Sequence, residues 1–325
     1  PGEGIHGHGR RSKAASAVED GQHDAAQRCG EAGSFAAPTV PVNAFNRTEN
    51  LNEVFLSVFK PSERTRWTGN LKKYRFTDGE LVGQNGAAVI DPVTGLFKRD
   101  AFSFWSDQPD GDRVNEGGAA GQLPDSSQRR LFSNLTGNNL SAASNRITVD
   151  NTNLIAALAS VPPDEQRDLI EWTLGRDVRD RDQDGNLAET RHDMGDALHV
   201  QPVTLLYGGT VNDPVGSVFL STNDGFLHAF DSQTGEELWA FLPARLLTGL
   251  YPLYLNEESA TKHYGLDGEI SLVILNDDGR PGLSGEERAI LLFGMGRGGD
   301  GVFAVDVTAR DAPRLLWEIS SGTPG

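Results

Sequence analysis

This sequence of 325 residues has a single cysteine, Cys29, only two methionines and no long apolar run. One thiol excludes an internal disulfide and a cysteine-based zinc site. No stretch approaches the roughly 18 apolar residues that a bilayer-spanning helix needs. The apolar run Ala289–Phe293 has only the length of a buried strand. Positive charge is scarce: 29 Lys and Arg stand against 46 Asp and Glu, a formal net charge of −17. Such a balance repels phosphate backbones and anionic lipid, which argues against nucleic acid and membrane-surface partners. A Gly-x-Ser-x-Gly nucleophile elbow is also missing. Glycine, by contrast, is abundant, at 38 residues, above the usual share of roughly 7%. Glycine-rich turns between spaced aromatics favour β structure over helical bundles.

Residues 1–40 carry Gly, Ala, Ser, His and charge with no period of 2 or 3.6, and read as a disordered or poorly ordered lead-in. The pair His6 and His8 falls in it and reads as part of a solvated tail rather than a metal site. The chain opens on Pro1 without a basic-then-apolar leader and stops just after a strand-like run, so it reads as a fragment of a longer protein. Residues 41–325 form the expected domain. Val54–Phe59 reads as a buried strand, and the glycine- and asparagine-rich stretch Asp107–Asn145 as a long surface excursion. Helical spacing is confined to about residues 151–175. There Leu154, Ile155 and Leu158 are followed by Pro162-Pro-Asp-Glu, then by Leu169, Ile170 and Leu174, and Gly175 is the stop.

A unit of strand, Asp-Gly turn, strand, Asp-x-x-Thr-Gly turn and Trp-bearing strand occupies Val218–Phe241. It returns with Ile290–Gly294, Val302–Asp306 and Leu315–Ile319, placing Asp306 75 residues after Asp231 and Trp317 78 after Trp239. A weaker copy contains Asp91-Pro-Val-Thr-Gly95, with Trp105 later. Sheets this small bury their faces by stacking on one another, and a ring of them leaves few open edges. The expected fold is therefore all-β, a partial β-propeller with a small inserted helical hairpin, in which Trp239 and Trp317 are packed core.

Several stretches resemble the C-terminal propeller of the PilC/PilY-type family of type IV pilus assembly proteins and tip adhesins. They are Val42–Arg47, Trp67–Tyr74, Gly195–Pro202, Asn223–Asp231, Tyr264–Gly268 and Gly298–Thr308, in the family's order. The resemblance implies an incomplete propeller of the quinoprotein alcohol dehydrogenase-like type. It also implies no catalysis, export to the cell surface, pilus, outer membrane or periplasm, and a part in pilus assembly, motility and attachment. The implied partners are pilins, minor pilins and host or surface receptors. Two rival readings are a pyrroloquinoline quinone-dependent dehydrogenase and a metal-free protein-interaction propeller. For the dehydrogenase, no residue set can be assigned from spacing to the cofactor-stacking, carboxylate and base roles. His199, His228 and His263 read as packed or hydrogen-bonded structural residues.

Asp180, Asp182 and Asp184 alternate before Gly185 and Asn186, so that carboxylates of one tight loop converge on a hard cation such as Ca2+. Asn186 offers its backbone carbonyl. Position 12 of an EF-hand-type frame is Arg191, so Glu189 at position 10 must substitute. Sliding the frame puts Asp193 at position 12 but Leu187 where glycine belongs. The metal-free alternative is an acidic turn offset by Arg179, Arg181 and Arg191. The family resemblance implies calcium. A second acidic stretch, Asn276-Asp-Asp-Gly279 followed by Glu286 and Glu287, reads as a hairpin turn.

Overall fold

The computed structural model describes residues 35–39 (backbone only), 52–210 and 212–321. His6, His8, Cys29 and the Val42–Arg47 motif lie outside the described residues. Within them the protein is mostly β, in three sheets. Sheet 1 runs in the order β1 (Phe35–Thr39), β2 (Glu53–Lys60), β3 (Thr68–Thr77) and β4 (Glu80–Val82), with β6 (Met194–Gly195) also paired to β3. The strand β1 falls inside the stretch read as a lead-in: its backbone pairs antiparallel with β2, from Phe35 opposite Phe59 to Thr39 opposite Phe55.

Sheet 2 has the order β5 (Leu131–Phe132), β10 (Glu237–Phe241), β9 (Leu227–Asp231), β8 (Asp213–Ser221) and β7 (Val203–Thr210). Sheet 3 repeats the four-stranded meander as β11 (Ile270–Leu275), β12 (Arg288–Gly294), β13 (Val302–Asp306) and β14 (Arg314–Ile319). The sequence repeat thus corresponds to β8–β10 and β12–β14. Among the described residues no sheet closes on itself.

The turns explain the recurring Asp and Gly. Asp231 Oδ1 accepts hydrogen bonds from the N–H groups of Gln233 (2.7 Å) and Thr234 (2.8 Å), and the Gly235 N–H returns to the Asp231 carbonyl. Asp91 does the same with Val93 and Thr94 at 2.8 and 2.9 Å. Gly235 sits at φ +76°, and a Cβ there would stand 2.5 Å from the Trp105 ring. Only glycine meets both demands.

One apolar core spans all three sheets, joining Phe55 and Leu71 to Phe219, Phe230, Trp239 and Phe241 and to Leu291, Phe293 and Phe303. Polar contacts knit the sheets as well. Trp105 Nε1 donates to the Gln233 carbonyl in the β9–β10 turn of sheet 2, at 3.0 Å. Trp239 Nε1 donates to the Arg310 carbonyl in the β13–β14 connection of sheet 3, at 2.8 Å. The consecutive lysines of β3 are buried on opposite faces. Lys72 pairs with Asp110 at 2.8 Å; Lys73 pairs with Glu53 and donates to the Ser232 carbonyl, both at 2.7 Å.

Two expectations need correction. Trp239 is fully buried, but Trp317 is 40% exposed. It lies opposite Ala304 on the face of sheet 3 turned away from the core, beside Val302 and Ile319, and no further sheet covers that face among the described residues. The stretch Asp107–Asn145 is not a surface excursion. Ala119 and Ala120 of helix α1 (Gly118–Gly121) are buried, as are Leu123, Leu131, Phe132 and Leu140. Leu131 and Phe132 pair in parallel with Ala240 and Phe241.

Helices α2 (Thr152–Ala157) and α3 (Gln166–Thr173) follow. The Asn151 side chain caps α2, accepting from Asn153 and Leu154 N–H, and Gly175 stops the second helical run at φ +102°. Leu154, Leu158, Leu169, Ile170 and Trp172 pack with helix α4 (Leu250–Leu255) into a second core on sheet 2. No helix among the described residues is long and apolar enough to cross a membrane.

Candidate metal centre

The acidic loop runs from the end of α3 to β6 and is held at its neck by the Arg176–Thr190 bridge. Left-handed residues fold it tightly: Asp180 at φ +48°, Gln183 at +62° and Gly185 at +83°. Each aspartate organises backbone ahead of it. Asp180 Oδ1 accepts from Gly185 N–H at 3.0 Å, Asp182 Oδ1 from Asp184 N–H at 3.3 Å and Asp184 Oδ1 from Asn186 N–H at 2.7 Å.

These turns bring oxygens of Asp180, Asp182 and Asp184 within 4.8 Å of one another. A second group with the same limit joins Asp177, Asp182 and Glu189. The acidic clusters thus have the donor chemistry to hold a hard metal ion, through oxygen ligands alone. Of the residues read from the sequence, the three aspartates assemble around one point. Glu189 groups with Asp182 and Asp177 rather than with Asp180 and Asp184. Asn186 uses its side chain locally, its Oδ1 accepting from Ala188 N–H and its Nδ2 reaching Glu189. Asp177 is buried and lies outside the set that the spacing singles out: it precedes the alternating triplet, and its only sequence signal is one more acid three residues upstream.

Carboxylates this close repel, and the loop shows it. The Glu189 carboxyl is pushed above its usual range, first by desolvation and then by Asp184, Asp182, Asp177 and Asp180. The arginines that the metal-free reading assigns to these acids are engaged elsewhere. Arg179 donates to the Tyr254 carbonyl at 2.8 Å and lies 5.0 Å over that ring. Arg181 pairs with Asp193 at 2.5 Å, and Arg191 lies 4.5 Å over the Trp172 ring. Asp193 is itself buried beneath Arg66, Arg181 and Arg191, so the shifted frame that would use it as a ligand is closed off.

The second acidic stretch joins β11 to β12. Asp277, Asp278 and Glu287 form a third carboxylate group. There, however, Glu287 accepts from Asp278 and Ser284 N–H at 2.8 and 2.6 Å, and Asp278 from Arg280 N–H, as a hairpin connection requires. Two histidines among the described residues, His228 and His199, are tied down. His228 is buried between the rings of Phe226 and Phe230 with Nδ1 2.8 Å from Glu237, and His199 Nδ1 is 2.8 Å from Asp267.

The described chain is thus a mostly-β protein of three sheets that share one core, with Asp-anchored turns and an acidic loop between α3 and β6. No family model matches it. A stretch of 173 residues is 33% identical to a type IV pilus biogenesis factor PilY1 homolog of Xylella fastidiosa, covering 45% of this chain and 13% of that protein. Another of 107 residues is 34% identical to the type IV pilus biogenesis factor PilY1 of Pseudomonas aeruginosa, covering 33% of this chain and 9% of that protein. A crystal structure of the Pseudomonas aeruginosa PilY1 C-terminal domain matches at 31% identity over 33% of this chain and 18% of the other, with a TM-score of 0.23. The curated relatives are PilY1-type pilus biogenesis factors, in accord with the resemblance read from the sequence, and the chain matches only a small part of their length.

Proposed function

We propose that this chain is part of a non-enzymatic, exported module of a type IV pilus-associated protein, acting in pilus assembly, motility and surface attachment. The observation that carries the proposal is the sequence match to type IV pilus biogenesis factors. Its partners on this reading are pilins, minor pilins and surface receptors, met at the cell surface or in the periplasm. The sheets would stack in the manner of a β-propeller. Supporting that reading, the indole of Trp105 reaches the β9–β10 turn of sheet 2 and the indole of Trp239 the matching connection of sheet 3. Trp317 holds the corresponding strand position on an open face.

The acidic loop would hold Ca2+ through Asp180, Asp182 and Asp184, with Glu189 and Asn186 at its edge. A bound divalent cation would supply the positive charge that these carboxylates lack, since their neighbouring arginines are spent elsewhere. Calorimetric titration with CaCl2 tests the metal: saturable heat in the unmodified chain, abolished in Asp182→Ala and Asp184→Ala, is expected, and no saturable heat sinks the calcium reading. Deleting the encoding segment from the full gene tests the pilus role. Loss of surface pili or twitching is expected, and unchanged piliation and motility would remove it.

A further inference from the structure

We infer that Arg181 is a lever coupling the acidic loop to the junction of sheets 1 and 2, so that cation occupancy of the loop is felt at Asp193 and Trp172. The inference rests on the calcium reading above and adds to it a route by which the loop's state reaches the rest of the fold.

Arg181 stands between two of the candidate ligands. Its N–H donates to Asp177 Oδ2 at 2.9 Å, and its guanidinium reaches Asp193 Oδ2 at 2.5 Å. That same oxygen is 2.5 Å from Arg66 Nη1 and 3.6 Å from Arg191 Nε. Three guanidinium groups, Arg181 and Arg191 from the acidic loop and Arg66 from the segment before β3, therefore converge on one oxygen atom. The other oxygen, Asp193 Oδ1, is buried without a hydrogen-bond partner, as are Nε of Arg66 and Nε of Arg191. Arginine and carboxylate pair best through two parallel bonds, and buried polar atoms left unpaired are costly. A junction holding one unused acceptor and two unused donors has a second pairing within reach, in which Arg66 or Arg191 takes both oxygens once Arg181 withdraws.

Each end of the junction leads somewhere definite. Arg66 precedes β3 of sheet 1 and lies 3.5 Å from Asp224, in the turn before β9 of sheet 2. The ring of Trp172 lies 4.5 Å from the Arg191 guanidinium and 5.8 Å from that of Arg66. A change in arginine pairing alters the charge over this indole, which makes Trp172 a built-in reporter. Arg181 itself is 56% exposed at its side chain, so replacing it leaves the core intact.

The test measures Ca2+ binding and Trp172 emission separately, the latter as the difference between the unmodified chain and Trp172→Phe. The unmodified chain should bind Ca2+ and change its Trp172 emission on the same titration curve. Arg181→Gln should bind within about threefold of that affinity, roughly 0.7 kcal/mol, yet lose the emission change; Asp193→Asn should lose it too, and Arg181→Lys should recover part of it. Binding without an emission change in the unmodified chain overturns the lever and leaves the calcium reading standing. An emission change that survives in Arg181→Gln overturns Arg181 as the route. Absence of binding overturns both.

Discussion

Trp239 and Trp317 occupy the same strand of two meanders with the same strand order, yet the first is wholly buried and the second 40% exposed. The two sheets differ in what covers them. Sheet 2 contributes Trp239 and Phe241 to the core shared by all three sheets, and Ala240 and Leu242 to the helical core on its other side. Sheet 3 gives one face to the shared core through Ala289, Leu291 and Phe293, and turns Val302, Trp317 and Ile319 outward. A tryptophan in this repeat is therefore buried by the neighbouring sheet and not by its own.

That comparison sharpens into an ordered set of expectations. Trp239→Ala should cost about 3–5 kcal/mol in urea unfolding, the usual loss for a buried aromatic. A loss close to that of an exposed residue would break the contrast. Glu237, also on β10, is bound by Arg129 at 2.7 and 2.8 Å and touches His228, all of them buried. Glu237→Ala leaves the arginine uncompensated and should cost a similar 3–5 kcal/mol or so.

The same group sets a pH limit. Burial alone would raise the Glu237 carboxyl, but the Arg129 charge and the His228 hydrogen bond hold it down at about 2, against an ordinary 4.5. A carboxyl lowered on folding adds stability that is complete above its ordinary value and is lost as pH falls toward the folded one. Unfolding midpoints should therefore drop between pH 4.5 and about 2, and the drop should be shallower in Glu237→Gln.

Smaller effects belong to the turns. Gly235→Ala meets both a left-handed backbone and the Trp105 ring, whereas Gly185→Ala meets only a left-handed backbone with nothing within 4 Å. The Gly185 change should cost about 1–2 kcal/mol and the Gly235 change clearly more; equal costs would show that the indole contact is soft. Smallest of all is Trp317→Ala, expected at about 1 kcal/mol or less, because much of that side chain already faces water.

What the sequence made legible follows from where its signals are local. The Asp-x-x-Thr-Gly turns encode their own hydrogen bonds within five residues, so β9, β10 and even the weak copy at Asp91 can be read directly. Strands β7 and β11 carry no such turn marker, although Val203–Tyr207 and Ile270–Leu275 are themselves largely apolar and β-prone. Lys72 and Lys73 read as part of a strand, but no adjacent residue announces that both are buried, because Asp110 and Ser232 arrive from distant parts of the chain. Glycine and asparagine make 107–145 look superficial, although its few apolar residues are the ones that matter to the core.

The loop follows the same rule. Asp180, Asp182 and Asp184 declare their convergence by alternation. The fate of Asp193 depends on Arg66, 127 residues away, and no short-range pattern contains that.

The parallel pairing of Leu131 and Phe132 on β10 has a consequence for how the protein can be divided. This two-residue strand shields the outermost backbone of sheet 2, and it comes from more than 100 residues upstream of its partner. A truncated chain starting beyond Asn145 would carry β10 with bare amide and carbonyl groups along that flank, a template for intermolecular β pairing. Self-association of such a truncation, relieved when the upstream segment is restored, would mark this small strand as the guard against it.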